Sequence, residues 1–173
     1  MDSYWRRRSG LAYYQKIVEI CSEILKNNEN YSIIDFGCRN TEVIFNFKSK
    51  KKFLLDKKNF YSEEQKKIII EKNITFLKES IFNIQYTNEF DICICLQTLE
   101  HLENPERAFQ LIHKASKRYT IISLPYKSTI SVKGHIHNNI DEQLIKKWTR
   151  IEPDQSFIIK DNGYRIINVY IKK

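Results

Sequence analysis

The chain has 173 residues, 42% of them hydrophobic, which suffices for one domain with a packed core and excludes a disordered chain. It contains no apolar run long enough to span a bilayer, and no apolar segment typical of a secretion signal near its N-terminus, so we expect a cytoplasmic protein without a membrane partner. The net charge of +8 is compatible with a nucleic-acid partner, but no aromatic residues are interleaved with the basic run Lys48 to Lys52, so nucleic acid is disfavoured. An anionic small molecule is a partner that fits the same charge.

In the first half of the chain, hydrophobic spacing predicts helices that alternate with short strands. The predicted order is a helix from Tyr4 to Leu25, a strand ending at Asp35, a short helix through Val43, Ile44 and Phe47, a strand from Phe53 to Asp56, a helix from Tyr61 to Lys72 with Ser62 as its N-cap, and a strand from Ile74 to Leu77.

The second half continues the alternation and ends differently. It predicts a strand from Asp91 to Leu96, a helix from Pro105 to about Lys117 capped by Asn104, a strand from Tyr119 to Leu124 stopped by Pro125, a helix from Asp141 to Trp148, and a hairpin of Ser156–Ile159 and Tyr164–Ile171. Such alternation indicates a Rossmann-like α/β fold with a mostly parallel seven-stranded sheet, helices on both faces and a C-terminal antiparallel hairpin. We expect one domain over residues 1–173, with residues 1–30 as a helical segment packed on the sheet.

The four cysteines are predicted to be small buried residues. Cys93 and Cys95 alternate in one apolar strand, and Cys21 lies on an apolar helix face. Paired C-x-x-C spacing is absent, so the cysteines do not predict a zinc site.

The stretch from Ser32 to Asn40 predicts a ligand site. Asp35 closes a buried strand, and Gly37 follows in a turn where the backbone can approach a ligand closely. Asp56 closes the next strand about twenty residues later, a position suited to ribose hydroxyls. Helix capping is the alternative role for these two acids. Neither a phosphate-binding loop nor a G-x-G-x-x-G motif is present, so a nucleoside ligand is favoured over a dinucleotide.

At these motifs the chain resembles the class I S-adenosylmethionine (SAM)-dependent methyltransferases over nearly its whole length. Three stretches carry the resemblance: I-I-D-F-G-C from Ile33, F-L-L-D from Phe53, and F-D-I-C-I-C-L-Q-T-L-E-H-L from Phe90. The last contains L-E-H-L, the most specific part. The ending, with L-P-Y-K, G-H-I-H, D-E and Trp148, is similar to small bacterial methyltransferases, some of them near surface-glycan genes.

The resemblance implies SAM as cofactor and further binding residues. It places Ser80 or Ile81 near the adenine, and Leu96 and Gln97 at the fourth-strand end near the methionine moiety. Arg39 stands where the family's loop usually has a second glycine. Its side chain either crowds the methionine tail or pairs with the ligand carboxylate.

Three histidines are candidate catalytic residues. His101 either supports the loop structurally or has a functional role. His135 and His137 follow the fifth strand in an H-x-H pair that is predicted to face the acceptor. The pair has no evident third ligand, so no metal site is predicted.

The leading hypothesis is a methyltransferase that acts on oxygen in a small polar acceptor, such as a sugar or a phosphorylated or nucleotide-linked precursor of a surface glycan. A neutral hydroxyl would need a histidine base, whereas an anionic acceptor would need cations such as Lys127, Lys133 or Arg39. The alternatives are a nucleic-acid methyltransferase, motivated by the charge, and a non-catalytic SAM-binding subunit, motivated by Arg39.

Overall fold

A computed structural model describes residues 4–26, 28–130 and 133–172; the two ends of the predicted domain, residues 1–3 and 173, lie outside the described residues. The strands are β1 (Ser32–Phe36), β2 (Lys51–Asp56), β3 (Ile74–Lys78), β4 (Phe90–Leu96), β5 (Ser116–Tyr126), β6 (Gln155–Asp161) and β7 (Gly163–Ile171). The helices are α1 (Ala12–Leu25), α2 (Glu63–Glu71), α3 (Pro105–Ala115) and α4 (Glu142–Thr149), with single 3₁₀ turns at Ile81–Asn83 and Leu99–His101.

The strands form one seven-stranded sheet in the order β3-β2-β1-β4-β5-β7-β6. The first five strands of that order run parallel, while β7 pairs antiparallel with both β5 and β6. The predicted Rossmann-like fold with a C-terminal antiparallel hairpin is therefore confirmed. Strand β1 lies between β2 and β4, so the carboxyl ends of these three strands meet at one edge of the sheet.

Each face of the sheet has its own hydrophobic core. On one face, Tyr13, Ile17 and Cys21 of α1 pack with Ile69 of α2. On the other, residues of α3 and α4 such as Phe109 and Trp148 pack under the same strands. Because helices cover both faces, β1 is buried along its whole length, including its two polar residues, Ser32 and Asp35. All four cysteines are buried and free, as predicted.

The C-terminal hairpin holds the start of α1. The backbone N–H groups of Ala12 and Tyr13 donate to the two carboxylate oxygens of Asp161, at 2.9 and 3.1 Å. Asp161 therefore caps a helix far away in sequence, since no side chain next to the helix does so. In the described part of the chain, no helix has the length and apolar character needed to cross a membrane.

Two predicted helices differ from the structure. The helix predicted from Tyr4 begins at Ala12, and residues 4–10 form turns in which the N–H groups of Arg8 and Ser9 both donate to the Trp5 carbonyl. Gly10, a poor helix former, separates these turns from α1.

The short helix predicted through Val43, Ile44 and Phe47 is a set of turns. All three side chains are buried, as is Phe45 between them, and the backbone forms isolated bonds such as Phe45 N–H to the Glu42 carbonyl. A segment buried on all sides lacks the amphipathic pattern that keeps a surface helix in place.

Pro125 does not stop β5, which continues to Tyr126. The pairing of β5 with β4 ends at Ser123, so beyond that point the strand has only β7 as a neighbour. The missing N–H of Pro125 therefore leaves no bond to β4 unmade.

Candidate functional site

A cavity of about 320 Å³ opens at the carboxyl ends of β1, β2 and β4. Its volume lies within the range of small-molecule sites. Of the residues predicted for ligand binding or catalysis, eight line it: Gly37, Arg39, Asp56, Ser80, Ile81, Leu96, Gln97 and His101. The parallel topology brings them together, because their loops all leave the same edge of the sheet.

Gly37 forms the tight turn after β1, with φ at +72°. Its N–H donates to the Leu55 carbonyl at 2.8 Å, which ties the turn to β2. A Cβ at this position would lie 2.5 Å from Cγ2 of Thr98. Both the backbone conformation and the packing therefore require glycine here.

The carboxylate of Asp56 is held in a defined orientation by two backbone donors. Its Oδ2 accepts from Arg39 N–H at 2.9 Å, and its Oδ1 accepts from Lys58 N–H at 3.2 Å. An ionised carboxylate offers about four lone-pair sites, so further acceptor capacity remains for a ligand in the cavity.

Arg39 has φ at +50°, the left-handed region that favours glycine. A glycine would adopt this conformation without strain. The Arg39 guanidinium lies 4.3 Å from the ring centre of Tyr4 and 5.7 Å from that of Phe60. The side chain is thus held among aromatic rings at the cavity wall.

Asp35 lies beneath the cavity instead of lining it. It is buried, and one carboxylate oxygen accepts from the Thr41 hydroxyl at 3.0 Å while the other has no partner among the described residues. Burial, with a smaller contribution from Asp56, raises the pKa of Asp35 to about 8, although the Thr41 hydrogen bond opposes the shift. In this structure Asp35 supports the loop through Thr41, a cavity-lining residue.

The remaining predicted binding residues form the walls. The Ser80 hydroxyl accepts from Phe82 N–H and so caps the turn at Ile81–Asn83. This turn presents Ile81 to the cavity opposite Leu96 at the end of β4. Gln97 has φ at +49°, and its side-chain amide donates to the hydroxyl of Ser123 on β5.

Two of the three predicted catalytic histidines lie together. Nδ1 of His101 is 2.7 Å from the Gly134 carbonyl oxygen, which can only accept, so this nitrogen carries the proton and Nε2 carries the lone pair. The ring of His135 meets that of His101 edge-on at 4.7 Å between centres. Burial, His101 and two arginines lower the pKa of His135.

Neither His135 nor His137 belongs to the cavity lining, although both were predicted to face the acceptor. For His137 the contacts of the side chain explain this position. Its Nε2 is 3.0 Å from the Leu102 carbonyl oxygen, and its ring packs edge-on against Trp148. Both contacts anchor the loop after β5.

Glu100 is 1% exposed and belongs to the same region. Its carbonyl oxygen accepts the N–H groups of Ile136 and His137, which holds the loop against the turn at Leu99–His101. Burial raises the pKa of the Glu100 carboxyl to about 8, and Oε2 has no partner among the described residues. From the sequence, Glu100 had no predicted role beyond its place in L-E-H-L.

Further lining residues were missed. The most relevant are Tyr4, Tyr14, Thr41, Phe60, Glu79, Phe82 and Thr98. The first two belong to the N-terminal segment, which no local pattern places over the cavity. Phe60 is 47% exposed in the structure. An aromatic residue in the polar segment that follows Asp56 was the available sequence signal for a ligand contact.

Comparisons with known proteins agree with this geometry. The sequence matches a methyltransferase domain family over residues 27–167, and no curated protein sequence matches it. Among solved structures, magnesium protoporphyrin IX methyltransferase of Synechocystis PCC 6803, with bound SAM, is similar at a TM-score of 0.72 and 14% identity, with 100% of this chain and 86% of that chain covered.

Two further structures are similar at this level. The 1,6-didemethyltoxoflavin-N1-methyltransferase of Burkholderia thailandensis, solved with 1,6-didemethyltoxoflavin and S-adenosylhomocysteine, has a TM-score of 0.78 at 12% identity, with 95% and 80% of the two chains covered. The N-methyltransferase NodS of Bradyrhizobium japonicum WM9, with S-adenosylhomocysteine, has a TM-score of 0.75 at 12% identity, with 99% of this chain and 93% of that chain covered. These likenesses show the fold, and the family match over most of the chain shows that the protein belongs to the methyltransferase domain family.

Proposed function

We propose that this chain is a SAM-dependent methyltransferase that methylates an oxygen of a small polar acceptor. The observation that carries the proposal is one cavity that combines the oriented carboxylate of Asp56 with the imidazole of His101. The acceptor class we propose is a sugar or a phosphorylated or nucleotide-linked precursor of a surface glycan, which rests on the resemblance of the sequence ending to such methyltransferases.

The residues present fit SAM. The free acceptor capacity of Asp56 suits the two ribose hydroxyls, and the apolar walls of Ile81, Phe82 and Leu96 suit a flat heterocycle. When bound, SAM supplies a methyl group carried on a positively charged sulfur. The lining cations Arg39 and Lys57 suit the carboxylate of its methionine part.

His101 is the group best placed to remove a proton from an acceptor hydroxyl. Its Nε2 lone pair is available because Nδ1–H donates to the Gly134 carbonyl, and the side chain both lines the cavity and reaches solvent. A proton taken up at Nε2 can therefore pass to water. Imidazole is the side chain most often used for such proton exchange near neutral pH. His135 supports the position of His101 through the ring contact.

An anionic acceptor would rely on cations instead. Lys127 forms an ion pair with Glu142, 3.1 Å between Nζ and Oε2, so its charge is compensated within the chain. Arg39 and Lys57 line the cavity itself and are better placed to meet a phosphate. A cytoplasmic location belongs to the same proposal and is supported by the four free cysteines, which suit a reducing compartment.

Calorimetric titration with SAM tests the proposal first. We expect binding, and Asp56→Asn should weaken it at least about tenfold, because hydrogen bonds to a charged acceptor contribute about 1.5–3 kcal/mol each. Asp154→Asn is the matched control, since Asp154 is an exposed acid outside the cavity lining whose carboxylate accepts the N–H of Ile171. Equal affinities for the Asp56 variant and the control would remove the nucleoside assignment.

The acceptor is then sought by measuring S-adenosylhomocysteine release with a panel of sugars, sugar phosphates and nucleotide sugars. Nuclear magnetic resonance of the product identifies the methylated atom. Methylation at nitrogen, or only of nucleic acid, would refute the proposed acceptor class while leaving the SAM site in place.

A further inference from the structure

We infer that Glu100, His101 and His135 form a binding site for a divalent transition-metal ion at the cavity wall, where His101 is the cavity-lining member. One ligand atom from each of these residues lies within 4.8 Å of the others. No metal was predicted from the sequence, where only the cysteines and the H-x-H pair suggested ligands. In the structure, His135 lies near Glu100 and His101 of the turn after β4, and His137 does not belong to this group.

The separation of the three groups is close to that of ligands on one ion. Zinc binds imidazole nitrogen and carboxylate oxygen at about 2.0–2.2 Å, so two ligands of the same ion lie at most about 4.4 Å apart. Small side-chain rotations of the two histidines would therefore suffice to close the site. Neither rotation requires movement of the sheet.

The unpartnered carboxylate oxygen of Glu100 is the independent observation that points to a ligand. Oε2 is buried without a hydrogen-bond partner in the described part of the chain, and the residue is 1% exposed. A buried polar atom without a partner is costly, and such atoms are rare. A cation bound between Glu100 and the two imidazoles would supply the missing partner.

The backbone around the site already orients the ligands. Nδ1 of His101 bonds to the Gly134 carbonyl, and such a contact commonly fixes a metal-binding histidine so that its other nitrogen faces the ion. The Glu100 carbonyl holds the N–H groups of Ile136 and His137, which brings His135 beside His101.

The ligand types select the class of ion. Two imidazoles and one carboxylate suit Zn²⁺, Mn²⁺ or Fe²⁺ better than Ca²⁺ or Mg²⁺, which prefer oxygen ligands. The guanidinium groups of Arg8 and Arg165 act electrostatically on Glu100 and His135 and oppose a cation. A tightly coordinated ion such as Zn²⁺ overcomes this opposition more readily than a weakly held one.

The position of the site suggests what the ion does, an extension that rests on the proposed function. Three protein ligands leave coordination positions open, and His101 lines the cavity. An acceptor hydroxyl bound at an open position would lose its proton to solvent water more easily, and its oxygen would then form a bond to the methyl carbon as the bond from that carbon to the sulfur of SAM breaks and S-adenosylhomocysteine leaves. The ion would then take over the activation assigned to His101 alone.

Metal binding is tested on the full chain, stripped with a chelator and freed of any purification tag. Calorimetry and equilibrium dialysis with ZnCl₂ and MnCl₂ should give one bound ion per chain for at least one metal. Glu100→Gln and His135→Ala should each weaken binding at least about tenfold, since loss of even an outer-shell partner costs 10- to 100-fold. His137→Gln is the matched control and should keep the parental affinity, because His137 contacts Leu102 and Trp148.

Failure to bind either metal below about 1 mM would overturn the site, as would binding that survives both ligand substitutions. If Glu100→Gln does not fold by circular dichroism, the comparison of His135→Ala with His137→Gln decides alone. SAM titration of the same samples separates the two proposals. SAM binding without metal binding refutes only the ion site, and metal binding without SAM binding refutes only the proposed function.

Discussion

Replacing Gly37 by alanine perturbs the turn on which the cavity depends. The added Cβ would lie 2.5 Å from Cγ2 and 2.7 Å from Oγ1 of Thr98, and the residue would keep φ at +72°. The Thr98 hydroxyl also donates to the Leu96 carbonyl at 3.0 Å, so the threonine cannot rotate away without losing a hydrogen bond. Strain and overlap therefore act at the same position.

The two costs can be separated. An L-residue in the left-handed region costs about 1–2 kcal/mol, and overpacking adds about 1–3 kcal/mol, so Gly37→Ala should lower the free energy of unfolding by about 2–5 kcal/mol. Thr98→Ala alone should cost about 1 kcal/mol through its lost hydrogen bond. In the double variant Cγ2 and Oγ1 are gone and the nearest remaining side-chain atom is Thr98 Cβ at 3.1 Å, so mainly the backbone cost remains.

Urea denaturation of the parent, both single variants and the double variant measures this coupling. We expect the double variant to be more stable than the sum of the single effects by about 1–3 kcal/mol. Additivity within about 0.5 kcal/mol would show that Gly37 and Thr98 do not approach each other as described. The comparison requires that the free energy of unfolding fall with urea concentration at the same slope in all four proteins.

Three further predictions concern the buried acid Asp35, Arg39 and the proposed base His101. Burial raises the pKa of Asp35 to about 8 in the folded chain, whereas the unfolded chain releases this proton near 3.8, so the stability that depends on it is complete below about pH 4 and is lost as pH rises through 8. Asp35→Asn should therefore reduce the change of melting temperature between pH 5 and 9. An unchanged pH dependence would refute the buried-acid interpretation. Arg39→Gly should weaken SAM binding severalfold in calorimetry if the guanidinium meets the ligand carboxylate, and tighter binding would show instead that the side chain crowds the cavity. His101→Ala should lower turnover of an identified acceptor by about 10²- to 10⁴-fold with little change in SAM affinity, and parental turnover would argue for an already anionic acceptor.

The strand ends of the site were predictable from local sequence. Ile33 and Ile34 lead into Asp35, and Leu54 and Leu55 into Asp56, so β-branched and apolar runs located the strand ends. The parallel topology then placed these ends at a common edge. Gly37 was recognisable for the same reason, because a tight turn follows a buried strand.

The histidines show where such reasoning stops. An H-x-H pair suggests two equivalent rings, yet His135 meets His101 while His137 bonds to Leu102. The choice depends on the Glu100 carbonyl, which accepts two N–H groups from the loop. A hydrogen bond between segments so far apart in sequence leaves no periodic trace in either.

The amino-acid sequence by itself determined the alternation of strands and helices, the parallel sheet with its closing hairpin, and the polar groups at the strand ends, because each follows from the spacing of apolar residues and from short-range turn chemistry. Only the tertiary structure decided that Tyr4 lies against Arg39 at the cavity and that Glu100 is buried beside two histidines. Those contacts depend on loops whose conformation is set by packing and hydrogen bonding to distant segments.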